Sequence, residues 1–341
     1  MYVETGYTFD DLLLIPKHSE VESRDDVDLS VQLPKGIKLG LPLVSANMKT
    51  VTGPRMARTI ARLGGLAILH RFDYYDVLVD NFKEATAGLY SEGVLGEVGA
   101  SVGVHENDFE LAKNLYKCGC KIFCVDVAHG DHILVTRFIS QLRKELGDVL
   151  IVAGNVATES GAQTLWNVGA DVIKVGIGSG SICSTRIETG NGYPQLSALD
   201  NVCNGYYEPR QGSVGPIFIS DGGVKTAGDC VKALAFADLV MLGNLLAGTD
   251  EALGDIISVG GFQYKQYVGS STHKQKHVEG VVGLVPYKGS VCNVVTKLVE
   301  GIRSGCSYQG VNNLKDLKKD PRFVSISNSG LIESHPHDVK L

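Results

Sequence analysis

Short apolar runs recur along this chain, separated by stretches of helical spacing or by polar loops. Eight of them read as strands: Leu41–Ala46, Leu66–His70, Val98–Val104, Ile122–Val127, Val149–Gly154, Val172–Ile177, Pro216–Ser220 and Asp238–Gly243. Gly53–Leu63, Asp108–Tyr116 and Thr158–Asn167 carry apolar residues at helical intervals, the last opening on a Thr N-cap followed by Glu159. Near-continuous apolar strands alternating with helices predict an α/β protein whose parallel sheet is buried on both faces. Eight strands predict closure into a (β/α)8 TIM barrel, with a doubly wound open sheet as the alternative. Residues 1–40 form an N-terminal extension, and residues beyond about 250 a C-terminal flap and tail. With no Pro- or Ser-rich linker, 1–341 is expected to be a single catalytic barrel domain, in which the polar, glycine-punctuated 250–286 is the candidate mobile flap.

Composition narrows the function. The 341 residues are 44% apolar and 21% charged, ordinary values for a protein with a large core. A formal charge of −6 argues against a nucleic-acid surface. The opening Met1-Tyr2-Val3-Glu4-Thr5 lacks the basic and apolar regions of a signal peptide, and no apolar run has the length of a membrane span, so a cytoplasmic protein without membrane partners is expected. Eight cysteines in a chain of this length read as free thiols. Cys118, Cys120 and Cys124 raise a metal question, which Cys124 answers by falling inside an apparent strand.

In this fold the active site lies beyond the C-terminal strand ends, and here those ends are polar or glycine-rich. The sixth leads through Gly176-Ile177-Gly178-Ser179-Gly180-Ser181-Ile182 to Cys183, a thiol among backbone amides with Arg186 three residues on, features that favour a thiolate nucleophile. Asp221-Gly222-Gly223 and Gly243-Asn244, at the seventh and eighth ends, occupy the usual phosphate positions of a barrel. Thr185 and Glu279 are candidates for proton handling, and Ser23, Arg24 and Arg71 for an anionic cofactor group. No Gly-x-Gly-x-x-Gly follows the first strand, so a Rossmann cofactor site is not indicated.

Four separated, ordered segments then carry a resemblance: Tyr7-Thr8-Phe9-Asp10-Asp11-Leu12-Leu13-Leu14-Ile15-Pro16, Pro42-Leu43-Val44-Ser45-Ala46-Asn47-Met48, Val175 to Cys183, and Ile219-Ser220-Asp221-Gly222-Gly223. Over nearly the whole barrel the chain resembles the IMP dehydrogenase/GMP reductase family. The resemblance implies a purine nucleotide attached covalently to Cys183, with Thr185 and Glu279 as its catalytic partners. It places Ser45, Met48, Ser181, Asp221, Gly222, Gly223, Gly243, Asn244, Gly269, Ser270, Ser271 and Gly280 around the nucleotide. Ser23, Arg24, Arg71, Asp126, Val127, Ala128, Ile177, Gly178 and Tyr308 fall to the nicotinamide cofactor. Gly178, Gly180, Cys183 and Arg186 surround a monovalent cation, K+. A homotetramer is implied by the same likeness.

Within the family, Thr185-Arg186-Ile187-Glu188-Thr189-Gly190-Asn191-Gly192-Tyr193-Pro194-Gln195-Leu196-Ser197-Ala198 resembles the reductase loop. The chain also lacks the inserted tandem regulatory (CBS) domain, and it has no Arg-Tyr dipeptide such as family dehydrogenases use to activate water. Only seven residues separate Ser271 from Glu279, short for a dehydrogenase flap. The implied activity is therefore NADPH-dependent reduction of GMP to IMP and ammonia. An IMP dehydrogenase without the CBS domain and a noncatalytic purine-nucleotide sensor are the alternatives. Departures from the family pattern are Lys49 for an acidic residue, Ser179 for proline, Asn244 for a second glycine, and the lack of a flap arginine, for which Lys276 is the substitute.

Overall fold

The computed structural model describes residues 1, 3–210, 215–269, 281–337 and 339. Eight strands close into a barrel: β1 (Leu43–Ser45), β2 (Leu66–Leu69), β3 (Glu97–Val102), β4 (Ile122–Asp126), β5 (Leu150–Val156), β6 (Val172–Val175), β7 (Ile217–Asp221) and β8 (Leu239–Leu242). Every neighbouring pair is parallel, and β8 returns to β1 through Val240 opposite Leu43, so the sheet has no free edge. The open-sheet alternative is thereby excluded. Each predicted strand is present, with ends shifted by at most two residues.

The three predicted helices are also present, as Pro54–Arg62, Glu106–Lys117 and Glu159–Asn167. Thr158 caps the last, its Oγ1 accepting the Gly161 N–H at 3.2 Å. Between β2 and β3 the chain holds only the helix Tyr75–Thr86 and a short 3-10 turn at Leu89–Glu92. The strands supply an apolar core in which Val44, Ile68, Phe123, Val152, Ile173 and Val240 are fully buried. Cys124 and Cys120 belong to it, and burial pushes each thiol up to about 12. Among the described residues no group of three His, Cys, Asp or Glu side chains is placed to hold a metal ion.

The N-terminal extension is built into the barrel. Leu12–Leu14 pairs antiparallel with Phe323–Ser325, Lys232 Nζ donates to the Phe9 carbonyl at 2.7 Å, and the Phe9 ring backs Gly223 in the loop after β7.

The segment 250–286, expected as a mobile flap, carries regular structure. Its described part contains β9 (Ile256–Val259), β10 (Phe262–Val268) and β11 (Val282–Pro286) in an antiparallel sheet. The period-2 pattern was masked because Lys265 occupies a buried position of β10. Its ammonium is satisfied by the carbonyls of Thr249 (2.9 Å) and Ala252 (2.6 Å). No helix among the described residues is long and apolar enough to cross a membrane.

Candidate active site

A cavity of about 850 Å³ opens at the C-terminal ends of the strands, where a barrel places its chemistry. The loop after β6 enters it with Ile177, Gly178, Gly180, Ser181, Cys183 and Thr185. That loop can run so close to β7 because residue 176 is glycine. Its φ is +147°, and a Cβ there would meet the Asp221 carbonyl oxygen at 2.0 Å.

Cys183 is half-buried at the start of the helix Thr185–Thr189. Its thiol donates to Thr185 Oγ1 at 3.1 Å, and its N–H donates to the Gly180 carbonyl at 3.0 Å, fixing the turn that presents the sulfur. Arg186 is arranged otherwise than its spacing promised. Its guanidinium donates to the Tyr193 carbonyl at 2.6 Å and its stem packs over Gly178 and Gly192, so it braces the loop. Of the groups assigned to the cation, Gly178, Gly180 and Cys183 lie in this loop; oxygen donors suit a hard monovalent ion.

Ser179 stands where a proline was expected, and hydrogen bonding replaces the ring. Its Oγ donates to Gln195 Oε1 at 2.7 Å, and Gln195 Nε2 donates to the Val175 carbonyl at 2.8 Å, tying the loop to the end of β6.

Asp126 at the end of β4 and Asp221 at the end of β7 reach the cavity from separate strands. Between them lies Lys174 of β6, 2% exposed, its Nζ 2.6 Å from Asp126 Oδ1 and 3.2 Å from Asp221 Oδ2. Asn155, at a bulge in β5, donates to the same Asp221 oxygen at 2.9 Å. Burial opposes charge on Asp126, but Lys174 outweighs it, aided by Arg71 and an Asn47 hydrogen bond, so its carboxyl lies below the usual range. Burial likewise opposes charge on Lys174, and the carboxylates of Asp126 and Asp221 overcome it to raise the ammonium.

On the remaining arc lie Met48, Arg71, Val127, Ala128, Gly222, Gly223, Gly243, Asn244 and Gly269. Tyr267 of β10 completes the floor. It is hydrogen bonded to Ser181 and 3.5 Å from the Met48 sulfur, and burial pushes its phenol up to about 12. Ser45 is fully buried behind this surface and does not line it. Ser270, Ser271, Lys276, Glu279 and Gly280 lie outside the described residues.

Three expected cofactor residues are not brought here. Ser23 and Arg24 are exposed on the N-terminal extension, packed near the helix Val291–Tyr308 that ends on the exposed Tyr308. Beside them a cleft of about 700 Å³ is lined by Glu20, Glu22, Asp26 and Asp316 with Lys17 and Lys319. Its excess of carboxylates disfavours a phosphate-bearing ligand.

Sequence reasoning missed Lys174, Gln195 and Tyr267 as site residues. A signal existed for Lys174, a lone charge inside an apolar strand run. Gln195 and Tyr267 reach the site through tertiary packing alone.

A closed parallel barrel with a thiol and two carboxylates at its C-terminal mouth defines a (β/α)8-barrel enzyme. The chain belongs to the IMP dehydrogenase/GMP reductase family, whose domain model, "IMP dehydrogenase / GMP reductase domain", matches residues 6–337. It is accordingly an oxidoreductase of that family, which works with a nicotinamide cofactor on purine nucleotides. An inosine-5'-monophosphate dehydrogenase of Borreliella burgdorferi is 34% identical over 396 aligned positions, covering 97% of this chain and 96% of the relative. Those of Nitrosopumilus maritimus (30% identical; 100% of both chains covered) and Streptococcus pyogenes (31%; 100% of this chain, 97% of the relative) align over 483 and 482 positions. Both alignments are longer than the 341 residues here, so each relative carries positions without a counterpart in this chain.

Proposed function

We propose that this protein is an NADPH-dependent GMP reductase. The observation that carries the reading is the Cys183–Thr185 pair at the cavity mouth in a chain without an Arg-Tyr dipeptide, and with no arginine between Arg210 and Arg303. The hydrogen bond between Cys183 and Thr185 supports a thiol nucleophile with a hydroxyl partner, while the water-activating pair that a dehydrogenase of this family would need is missing from the sequence.

In this reading the Cys183 thiolate adds to C2 of GMP, forming a C–S bond, and the exocyclic amine leaves as ammonia after protonation. Thr185 passes that proton and Glu279 supplies it. A reduced nicotinamide held by Arg71, Asp126, Val127 and Ala128 would supply a hydride to C2. The C–S bond breaks, its electron pair returns to Cys183 as thiolate, and IMP is released. Ser181, Asp221, Gly222, Gly223, Gly243, Ser270 and Ser271 hold the nucleotide, and Arg71, Asp126, Val127 and Ala128 face the cofactor. K+ bound by the Cys183 loop would hold that loop's carbonyls together. The assembly is a cytoplasmic homotetramer, for which light scattering is expected to give four times the 36.5 kDa chain mass.

The relatives' names favour a second reading, in which the chain is an IMP dehydrogenase that forms XMP with NAD+. Absorbance at the reduced-nicotinamide band separates the two. Loss of NADPH with GMP, accompanied by ammonia and IMP and absent in Cys183→Ala, supports the reductase. NADH appearing with IMP and NAD+ replaces it with the dehydrogenase. Nucleotide binding without either turnover points to a sensor.

A further inference from the structure

We propose that Lys174 is a positioning residue which, from one buried ammonium, sets both the carboxylate on the nucleotide side of the cavity, Asp221, and the carboxylate on the cofactor side, Asp126. The assignment of sides rests on the reading above; the geometry does not. The two aspartates stand at the ends of β4 and β7, three strands apart, and share no backbone pairing. Lys174 touches both, at 2.6 and 3.2 Å.

A buried lysine is costly unless its partners compensate, and here the partners are site residues, not packing residues. Its room comes from the neighbouring strand. Gly154 lies opposite Lys174 in β5, where a Cβ would sit 2.6 Å from that of Lys174. The groups facing the ammonium are Asp126, Asp221 and the thiol of Cys124, which burial keeps neutral. Arg71 and Asn47 also face Asp126, and Asn155 faces Asp221. Without Lys174 two half-buried carboxylates would share the cavity with only Arg71 as a counter-charge on the Asp126 side. Asp126 would then lose the charge partner that holds its proton off, and would take up a proton more readily.

The experiment compares wild type, Lys174→Met and Lys174→Arg. Calorimetric titration with GMP, IMP, NADPH and NAD+ is expected to find Lys174→Met weakened toward the nucleotide and toward the cofactor together. Its kcat/KM is expected to fall about 10²-fold, and the acidic limb of its pH profile to move to higher pH. Lys174→Arg keeps the charge and is expected to restore the limb. Infrared difference spectra of the unliganded proteins near neutral pH provide a readout independent of turnover. Lys174→Met gains a protonated-carboxyl band, which disappears when Asp126→Asn or Asp221→Asn is added. Were Lys174→Met unable to fold, the Lys174→Met/Asp126→Asn protein, which buries one charge fewer, would carry the binding comparison. A folded Lys174→Met with unchanged affinities, limb and carboxyl band, and only a lower Tm, overturns the proposal. A wild type that binds neither GMP nor IMP overturns the functional reading instead, leaving the infrared result to decide Lys174.

Discussion

The backbone N–H of Val281 donates to the carbonyl of Ile182 at 3.3 Å, which ties the β10–β11 hairpin to the residue just before Cys183. Gly269 closes the base of the same hairpin by donating to the Val281 carbonyl at 3.2 Å. The antiparallel sheet and the Cys183 loop are thus joined through the main chain.

That joint makes Gly283 a sensitive position, since a Cβ there would come 3.2 Å from Ile182 Cδ1. Gly283→Val is expected to push Ile182 and shift the sulfur, slowing alkylation of Cys183 by iodoacetamide roughly tenfold with little change in Tm. An unchanged alkylation rate would mean that the loop holds its shape without the hairpin.

Cys183→Ala is expected to abolish turnover while leaving nucleotide affinity within about a few-fold, because in the proposed mechanism the thiol acts on the reacting carbon and contributes little to binding. Thr185→Val removes the hydroxyl 3.1 Å from the sulfur and is expected to cost about 10²–10⁴ in kcat. A raised KM with kcat unchanged for Thr185→Val would assign the hydroxyl to binding.

Gly176→Ala tests the approach of β6 to β7. The methyl would clash with the Asp221 carbonyl and be held at positive φ. Together these are expected to cost on the order of 3 kcal/mol of stability, read as a lowered urea midpoint. A midpoint equal to wild type would show that the two loops separate freely.

His70 links stability to pH. Burial, the largest influence, lowers its imidazole pKa; the Asp73 charge counteracts part of this and Lys49 adds to it. Nδ1 accepts the Phe72 N–H at 3.2 Å, which leaves the proton of the neutral ring on Nε2. Because the folded pKa lies below the unfolded one, the unfolded chain binds more protons in between. The stabilisation is therefore complete above the ordinary histidine range near ~6.5 and is lost as pH falls through the folded value. His70→Gln is expected to flatten the dependence of Tm on pH below ~6.5; an unaltered slope would place the acid sensitivity elsewhere.

The alternation of apolar strands with helices was enough to determine a buried parallel sheet of eight strands, because burial on both faces forces apolar side chains onto consecutive strand positions, whereas the pairing of Val240 with Leu43 decided that the sheet closes. The mouth was legible for the same reason. Once the strand ends are placed, Cys183, Asp126, Asp221 and the glycine turns fall at one end of the barrel. Tertiary structure alone decided that Arg186 turns to Tyr193, since spacing fixes neither a long side chain's rotamer nor its partner. It alone placed Ser23, Arg24 and Tyr308 away from the cavity, made a sheet of the segment around Lys265, and set Lys174 between two carboxylates. In each case the deciding contact joins residues far apart in the chain, and whether a buried charge is paired can be read only where its partners meet in space.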